Sequence, residues 1–108
     1  SGNRFIEIVD EAASDVLVNL ASNEYFGAVK NKELKARIVT PIFKDLKGGE
    51  YKVISFFAKK ARGAMSDFML RNRIKEPKGL QDFSGLGYQF DPKRSNEDQW
   101  VFTRDQAA

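Results

Sequence analysis

The chain has 108 residues, enough for one domain with a real core but near the small end of the usual range. Hydrophobic residues make up 42%, with nine Phe, three Tyr and one Trp; this excludes a disordered chain, and no apolar run approaches the roughly 18 residues of a membrane span. With no Cys and no His, disulfides, thiolate or imidazole metal ligands and His-based triads are excluded for these residues, and a net charge of +3 with a pI near 9.2 leans only mildly toward anionic partners.

In chain order, Ser1-Gly2-Asn3-Arg4 carries neither an initiator Met nor a signal-peptide profile; it is expected to be a processed, tagged or truncated start of a soluble, cytoplasmic protein. Phe5, Ile6, Ile8 and Val9, interleaved with Glu7, Asp10 and Glu11, predict a short amphipathic helix closing near Ala13. The run Val16-Leu17-Val18-Asn19-Leu20 predicts a strand buried on both faces. Directly after it, Ala21-Ser22-Asn23-Glu24-Tyr25-Phe26 reads as a strand feeding a helix, with Ser22 at the N-cap. There, unpaired N–H groups and the positive dipole end can receive an anion at the carboxyl edge of a strand; the plainer alternative is that Ser22 only caps the helix.

Beyond the charged connection Lys30 to Lys35, the segments Ala36 to Asp45 and Tyr51 to Phe56 are rich in β-branched and aromatic residues. They flank Lys47-Gly48-Gly49-Glu50, which predicts a hairpin from about Arg37 to Phe56. Pro41 assigns the first of these strands to a sheet edge or a bulge, and apolar residues on both alternating sets imply partial cover of both faces.

A long helix is predicted from about Phe57 to Ile74. At about 100° per residue, Phe57, Ala58, Ala61, Ala64, Met65, Phe68 and Met69 share one face. Lys59, Arg62, Ser66 and Arg73 line one flank, and Lys60 lies on the other near Asp67 and Arg71, the last two at i,i+4 salt-bridge spacing. From Phe57 to Lys75 six Lys or Arg stand against one Asp, so the basicity of the chain is local to this helix. Gly63 and Leu70 project away from the apolar face, which implies that the helix is covered on more than one side, by another part of the fold, a partner or a ligand. After it, Pro77 suits the first position of a short helical turn carrying Leu80 and Phe83. Tyr88-Gln89-Phe90 and Trp100-Val101-Phe102 form a second hairpin around a polar loop, and Arg104 to Ala108 are expected to fray. The fold class is α+β, or mixed α/β: a buried strand, a β-hairpin, a long basic amphipathic helix and a second hairpin.

Two site readings follow. Lys59 and Arg62, one turn apart, can hold phosphate oxygens while Lys60, Arg71 and Arg73 extend the field along a nucleic-acid backbone; the bland alternative is a solvated basic face. An enzyme would rest on Glu24, Tyr25 or Lys59, with Asn19 and Ser22 nearby and the cations holding a nucleotide or other anionic substrate. No catalytic spacing is visible, and packing or capping roles for Glu24 and Tyr25 are the simpler account. A third reading makes the piece purely structural, with no activity alone.

The stretches Asn19 to Phe26 and Ile54 to Met65, with Leu86-Gly87-Tyr88-Gln89-Phe90 and Trp100-Val101-Phe102, are together similar to the C-terminal part of the YaaA family of bacterial peroxide-stress proteins. The resemblance runs in order from about Val16 to Arg104. It implies that residues 1–108 are a single piece equivalent to the C-terminal half of a longer fold, whose N-terminal half, or self-association, would supply a protein partner. It also implies a DNA-binding role, on double-stranded or damaged DNA, that protects against oxidative damage under hydrogen peroxide through a basic cleft; no cofactor, metal or membrane is expected. The helix-hairpin-helix-like element ascribed to that family matches no stretch here.

Overall fold

The structure, a computed structural model, describes residues 5–8, 16–20 and 37–105. Its strands are β1 (Phe5–Ile8), β2 (Val16–Asn19), β3 (Arg37–Lys47), β4 (Glu50–Lys52), β5 (Gln89–Phe90) and β6 (Gln99–Arg104), with helix α1 spanning Ser55–Arg71. The sheet order is β1-β2-β3-β6-β5, with β4 attached to β3. β2 and β6 run parallel to β3, whereas β1, β4 and β5 are antiparallel to their neighbours. This mixed sheet with one long helix is the α+β class expected.

Most predicted elements form where the pattern puts them. Val18 and Leu20 of the apolar run are fully enclosed. The first hairpin closes through Gly48 and Gly49, both at positive φ (60° and 82°), the backbone that a two-residue turn between strands demands and glycine supplies at little strain. Pro77 opens a 3-10 turn, Pro77–Asp82, that delivers Leu80 and Phe83 into the core. β5 and β6 pair as the second hairpin, Phe90 opposite Phe102.

Three expectations are corrected. Phe5 to Ile8 is a strand, not the start of a helix: a short apolar run satisfies either period, and pairing of Phe5 with Asn19 and Ile8 with Val16 decides it. The rest of that predicted helix lies outside the described residues. Pro41 sits buried in the central strand rather than at an edge or bulge. Thr40 N–H donates to Asp98 C=O (2.8 Å), so alternation turns the Pro41 nitrogen away from β6, toward the side where β2 pairs only as far as Val39 and β4 begins only at Asp45. The proline occupies a gap in the ladder and no hydrogen bond is lost. Finally, Arg104 does not fray; it is the last residue of β6 and is 6% exposed.

The core face of β3 is Val39, Pro41, Phe43 and Asp45, while Ile38, Thr40, Ile42 and Lys44 on the other face are half-buried. Register places Trp100, Phe102 and Arg104 of β6 beside Pro41, Phe43 and Asp45. Phe43 stacks on Phe102 (5.4 Å between centroids) and meets Phe83 and Tyr88 edge-on (6.0 and 5.3 Å). Against these rings α1 lays Ala58, Ala61, Met65 and Met69, all buried, with Phe68 edge-on to Phe83 at 5.5 Å. The apolar face predicted for the helix is thus the face that packs.

Candidate functional site

Four of the predicted cations ride on α1, while Arg73 lies just past its end, the helix stopping at Arg71 short of the expected Ile74. At the start, Ile54 offers no side-chain cap and the first turn has no acidic residue, although Lys59 and Lys60 follow within two turns. The uncapped start forgoes the stabilisation that a capping Ser, Thr, Asp or Asn would add. At the far end, Asn72 N–H donates to Phe68 C=O (3.0 Å), Arg73 N–H to Leu70 C=O (3.4 Å) and Ile74 N–H to Met69 C=O (3.1 Å), closing the helix through a residue in the left-handed region. That residue is Arg73, at φ 49°. Glycine is usual at this position, and a side chain there costs roughly 1–2 kcal/mol.

The five cations differ in state. Lys59, Lys60 and Arg73 are exposed and form no ion pair with the described residues; the Lys60 ammonium lies 5.3 Å from the Phe56 ring centroid. Arg71 Nε meets Asp67 Oδ2 at 3.1 Å, the predicted i,i+4 pair, with both side chains exposed. Arg62 is half-buried; its Nε is enclosed without an acceptor, and burial lowers the guanidinium pKa from its usual value. Lys59 to Arg71 covers about 18 Å of helix axis, a track long enough to lie along several phosphates rather than around one small ligand.

The other predicted residues join this track only in part. Asn19 ends β2, is 2% exposed, and its Nδ2 donates to Thr40 Oγ1 at 3.2 Å, a link from β2 to β3. Ser22, Glu24 and Tyr25 lie outside the described residues. Among the described residues no cluster of His, Cys, Asp and Glu could hold a metal ion, and no helix is long and apolar enough to cross a membrane. The outward stripe of α1 is left uncovered by the described residues: Leu70 is 71% and Phe56 66% exposed, and a Cβ added at Gly63 would meet no atom within 4 Å.

A constellation that sequence reasoning misses lies on the opposite side of the helix. Asp45 and Arg104 form a buried ion pair through Oδ1 and Nε, with Arg104 Nη2 3.4 Å from Asp45 Oδ2. The guanidinium is held between the rings of Phe57 (4.8 Å) and Tyr88 (4.3 Å), and Nη1 donates to the carbonyl of Leu86 (2.9 Å), a residue at φ 58°. The Tyr88 hydroxyl is enclosed beside Asp45 without a well-formed hydrogen bond; burial, then the Asp45 carboxylate, push its pKa up to about 12. The signal in the sequence is the i+2 alternation, Phe43 to Asp45 and Phe102 to Arg104, continued by one step. An open cleft of about 580 Å³ borders this pair, lined by Tyr51, Phe90, Asp91, Lys93, Arg104 and Asp105 among others, and no predicted cation of α1 reaches it. Its walls pair with each other: Tyr51 Oη donates to Asp105 (2.6 Å) and Arg94 bridges Asp91 (2.8 Å) and the Tyr51 ring (4.2 Å).

Residues 2–94 match the family described as peroxide stress protein YaaA. The chain belongs to the YaaA family. Similar curated relatives are UPF0246 proteins: one from Cellvibrio japonicus is 49% identical over 109 residues (97% of this chain, 42% of the relative). Those from Hahella chejuensis and Teredinibacter turnerae are 52% and 53% identical, covering 92% and 91% of this chain and 39% and 38% of the relatives. This YaaA-family chain therefore spans about two fifths of the length of these relatives. Such coverage accords with the C-terminal part recognised from its motifs.

Proposed function

We propose that this YaaA-family chain acts in the bacterial response to hydrogen peroxide as a DNA-binding protein, engaging the phosphate backbone along α1. The observation that carries the reading is the exposed cation track, in which Lys59, Lys60 and Arg73 lack ion-pair partners among the described residues. The chain accepts a strained Arg73 to keep it. Interactions of this kind fix position without reading sequence.

The test is duplex affinity as a function of salt. Lys59→Ala, Lys60→Ala and Arg73→Gly should each weaken unrelated duplexes about equally and reduce the slope of log K against log salt by about 0.9 for each phosphate no longer neutralised. Arg73→Gly should at the same time stabilise the fold by roughly 1 kcal/mol, so weaker binding cannot be ascribed to unfolding. The control is Lys93→Ala with Arg94→Ala. Equal losses from loop and helix would mean that net charge alone acts.

A second reading has its own observation. The exposed Phe56 and Leu70, with Gly63 open between them, form the kind of apolar stripe that packs against protein, and the relatives are more than twice as long as this chain. On this reading the stripe is a structural interface with the remainder of the family-length protein. Hydroxyl-radical labelling should modify Phe56 and Leu70 here and spare the aligned positions in a full-length relative; equal labelling would refute it. Of the residues the enzyme reading uses, Lys59 stands in solvent without a hydrogen bond to the described residues, and Glu24 and Tyr25 lie outside them.

A further inference from the structure

The turn Gly85-Leu86-Gly87 holds a side chain that its geometry argues against. Gly85 gives room to the Phe83 ring, since a Cβ there would lie 2.6 Å from it, and Gly87 sits at φ 86°. Between them Leu86 takes φ 58° and ψ 20°, the left-handed region that glycine or asparagine enters with least strain. The fold uses its backbone: the Leu86 carbonyl accepts from Arg104 Nη1 at 2.9 Å, while the side chain stands 45% exposed. Strain kept for a side chain that faces solvent points to a contact outside the described residues.

Leu86 does not stand alone. Arg104 ties its turn to the start of α1, the guanidinium lying 4.8 Å from the Phe57 ring, and Phe57 meets Phe56 edge-on at 5.7 Å. Phe56 is 66% exposed, and Val53, just before the helix, 52%. Of the four large apolar side chains exposed among the described residues, three thus gather at this end of α1, and Leu70 lies about 21 Å away along the axis.

We propose that Leu86, with Val53 and Phe56, anchors a docking surface for the part of the family-length protein that this chain does not cover. This rests on the interface reading above and moves its centre from the length of the α1 stripe to the start of the helix and the Leu86 turn. The occupant follows from length and charge. The Cellvibrio japonicus relative is matched over 42% of its length, so more than half of such a protein remains to be packed. A second copy fits poorly: exposed Lys59 and Lys60 stand beside Phe56, the Lys60 ammonium 5.3 Å from its ring, and a two-fold contact through this patch would set like charges together. A segment apolar at its centre, with no cation toward Lys59 and Lys60, meets both demands.

The experiment is hydroxyl-radical labelling read by mass spectrometry, on this chain and on the full-length Cellvibrio japonicus relative. Val53, Phe56 and Leu86 should all label in this chain, and the aligned positions should label roughly fivefold more slowly in the relative after correction for residue type. Slow labelling at the positions aligned with Phe56 and Leu70, but not with Val53 and Leu86, would keep the stripe as an interface and overturn the inference. Slow labelling at the first three with Leu70 fast would uphold it and remove the far end of the stripe. Equal labelling at all four overturns both, and protection that develops in this chain alone as its concentration rises assigns the patch to a second copy instead. A second measurement reads the strain. Leu86→Asn should raise the melting temperature of this chain by about 4 °C, because asparagine tolerates the left-handed region. With leucine at the aligned position as parent, the same change should lower it in the relative. A rise in both, or a fall in this chain, would show that the side chain meets no outside partner and overturn the inference.

Discussion

Arg104 and Arg62 are both drawn out of solvent, and the fold treats them in opposite ways. Around Arg104 the partners are several: Asp45 takes one edge, the Leu86 carbonyl accepts from Nη1, and the rings of Phe57 and Tyr88 lie 4.8 and 4.3 Å from the guanidinium. Around Arg62 the Nε is enclosed and has nothing to donate to. A saturated guanidinium is a structural part, joining β3, β6, α1 and the Leu86 turn. An unsatisfied one has no such structural role to account for it. Burial alone does not separate the two; their hydrogen bonds do.

The largest way to break this comparison is to remove the counter-charge of the saturated arginine. Asp45→Ala leaves Arg104 buried and unpaired, and should cost about 3–5 kcal/mol in urea denaturation, a large share of the stability of a small domain. A cost below about 1 kcal/mol would show that Arg104 finds water or another partner, and the contrast with Arg62 would fall.

Next in size is the alkaline limb. Tyr88 releases its proton near pH 10 when unfolded and at about 12 in the fold, so between those values the folded chain holds a proton that the unfolded chain has lost. Stability should therefore fall as pH rises from 10 to 12, by roughly 2–3 kcal/mol in total, and be unaffected by this group below pH 10. Tyr88→Phe should change stability little at pH 7, where the hydroxyl has no well-formed hydrogen bond to lose, and should remove that part of the alkaline fall. An identical alkaline limb in the variant would mean that neither burial nor the Asp45 carboxylate holds the Tyr88 proton in the fold.

These two arginines also mark how far the sequence is legible. Local signals read well: the Gly48-Gly49 turn, the enclosed apolar run through Val18, the packing face of α1 and the Asp67–Arg71 spacing are all decided within a few residues. The Phe5 to Ile8 strand is misread because a short apolar run fits two periods, and Pro41 because the gap it occupies is defined by where two other strands stop. Asp45 and Arg104 escape notice because they lie 59 residues apart and are joined by parallel pairing, which no local pattern announces. Arg62 is legible as a cation beside the apolar face. Its loss of solvent is not, since that depends on what packs along the boundary of the face and not on spacing. For Ser22, Glu24 and Tyr25 the comparison with structure lies outside the described residues.

The smallest effect is the sharpest. If Arg62 is not a strut, then Arg62→Met should leave stability within about 0.5 kcal/mol of the parent or raise it slightly, because the change keeps the apolar stem and discards a desolvated charge with no partner. Thermal melts of both proteins read this directly. A variant destabilised by about 2 kcal/mol or more would place Arg62 beside Arg104 as a structural residue.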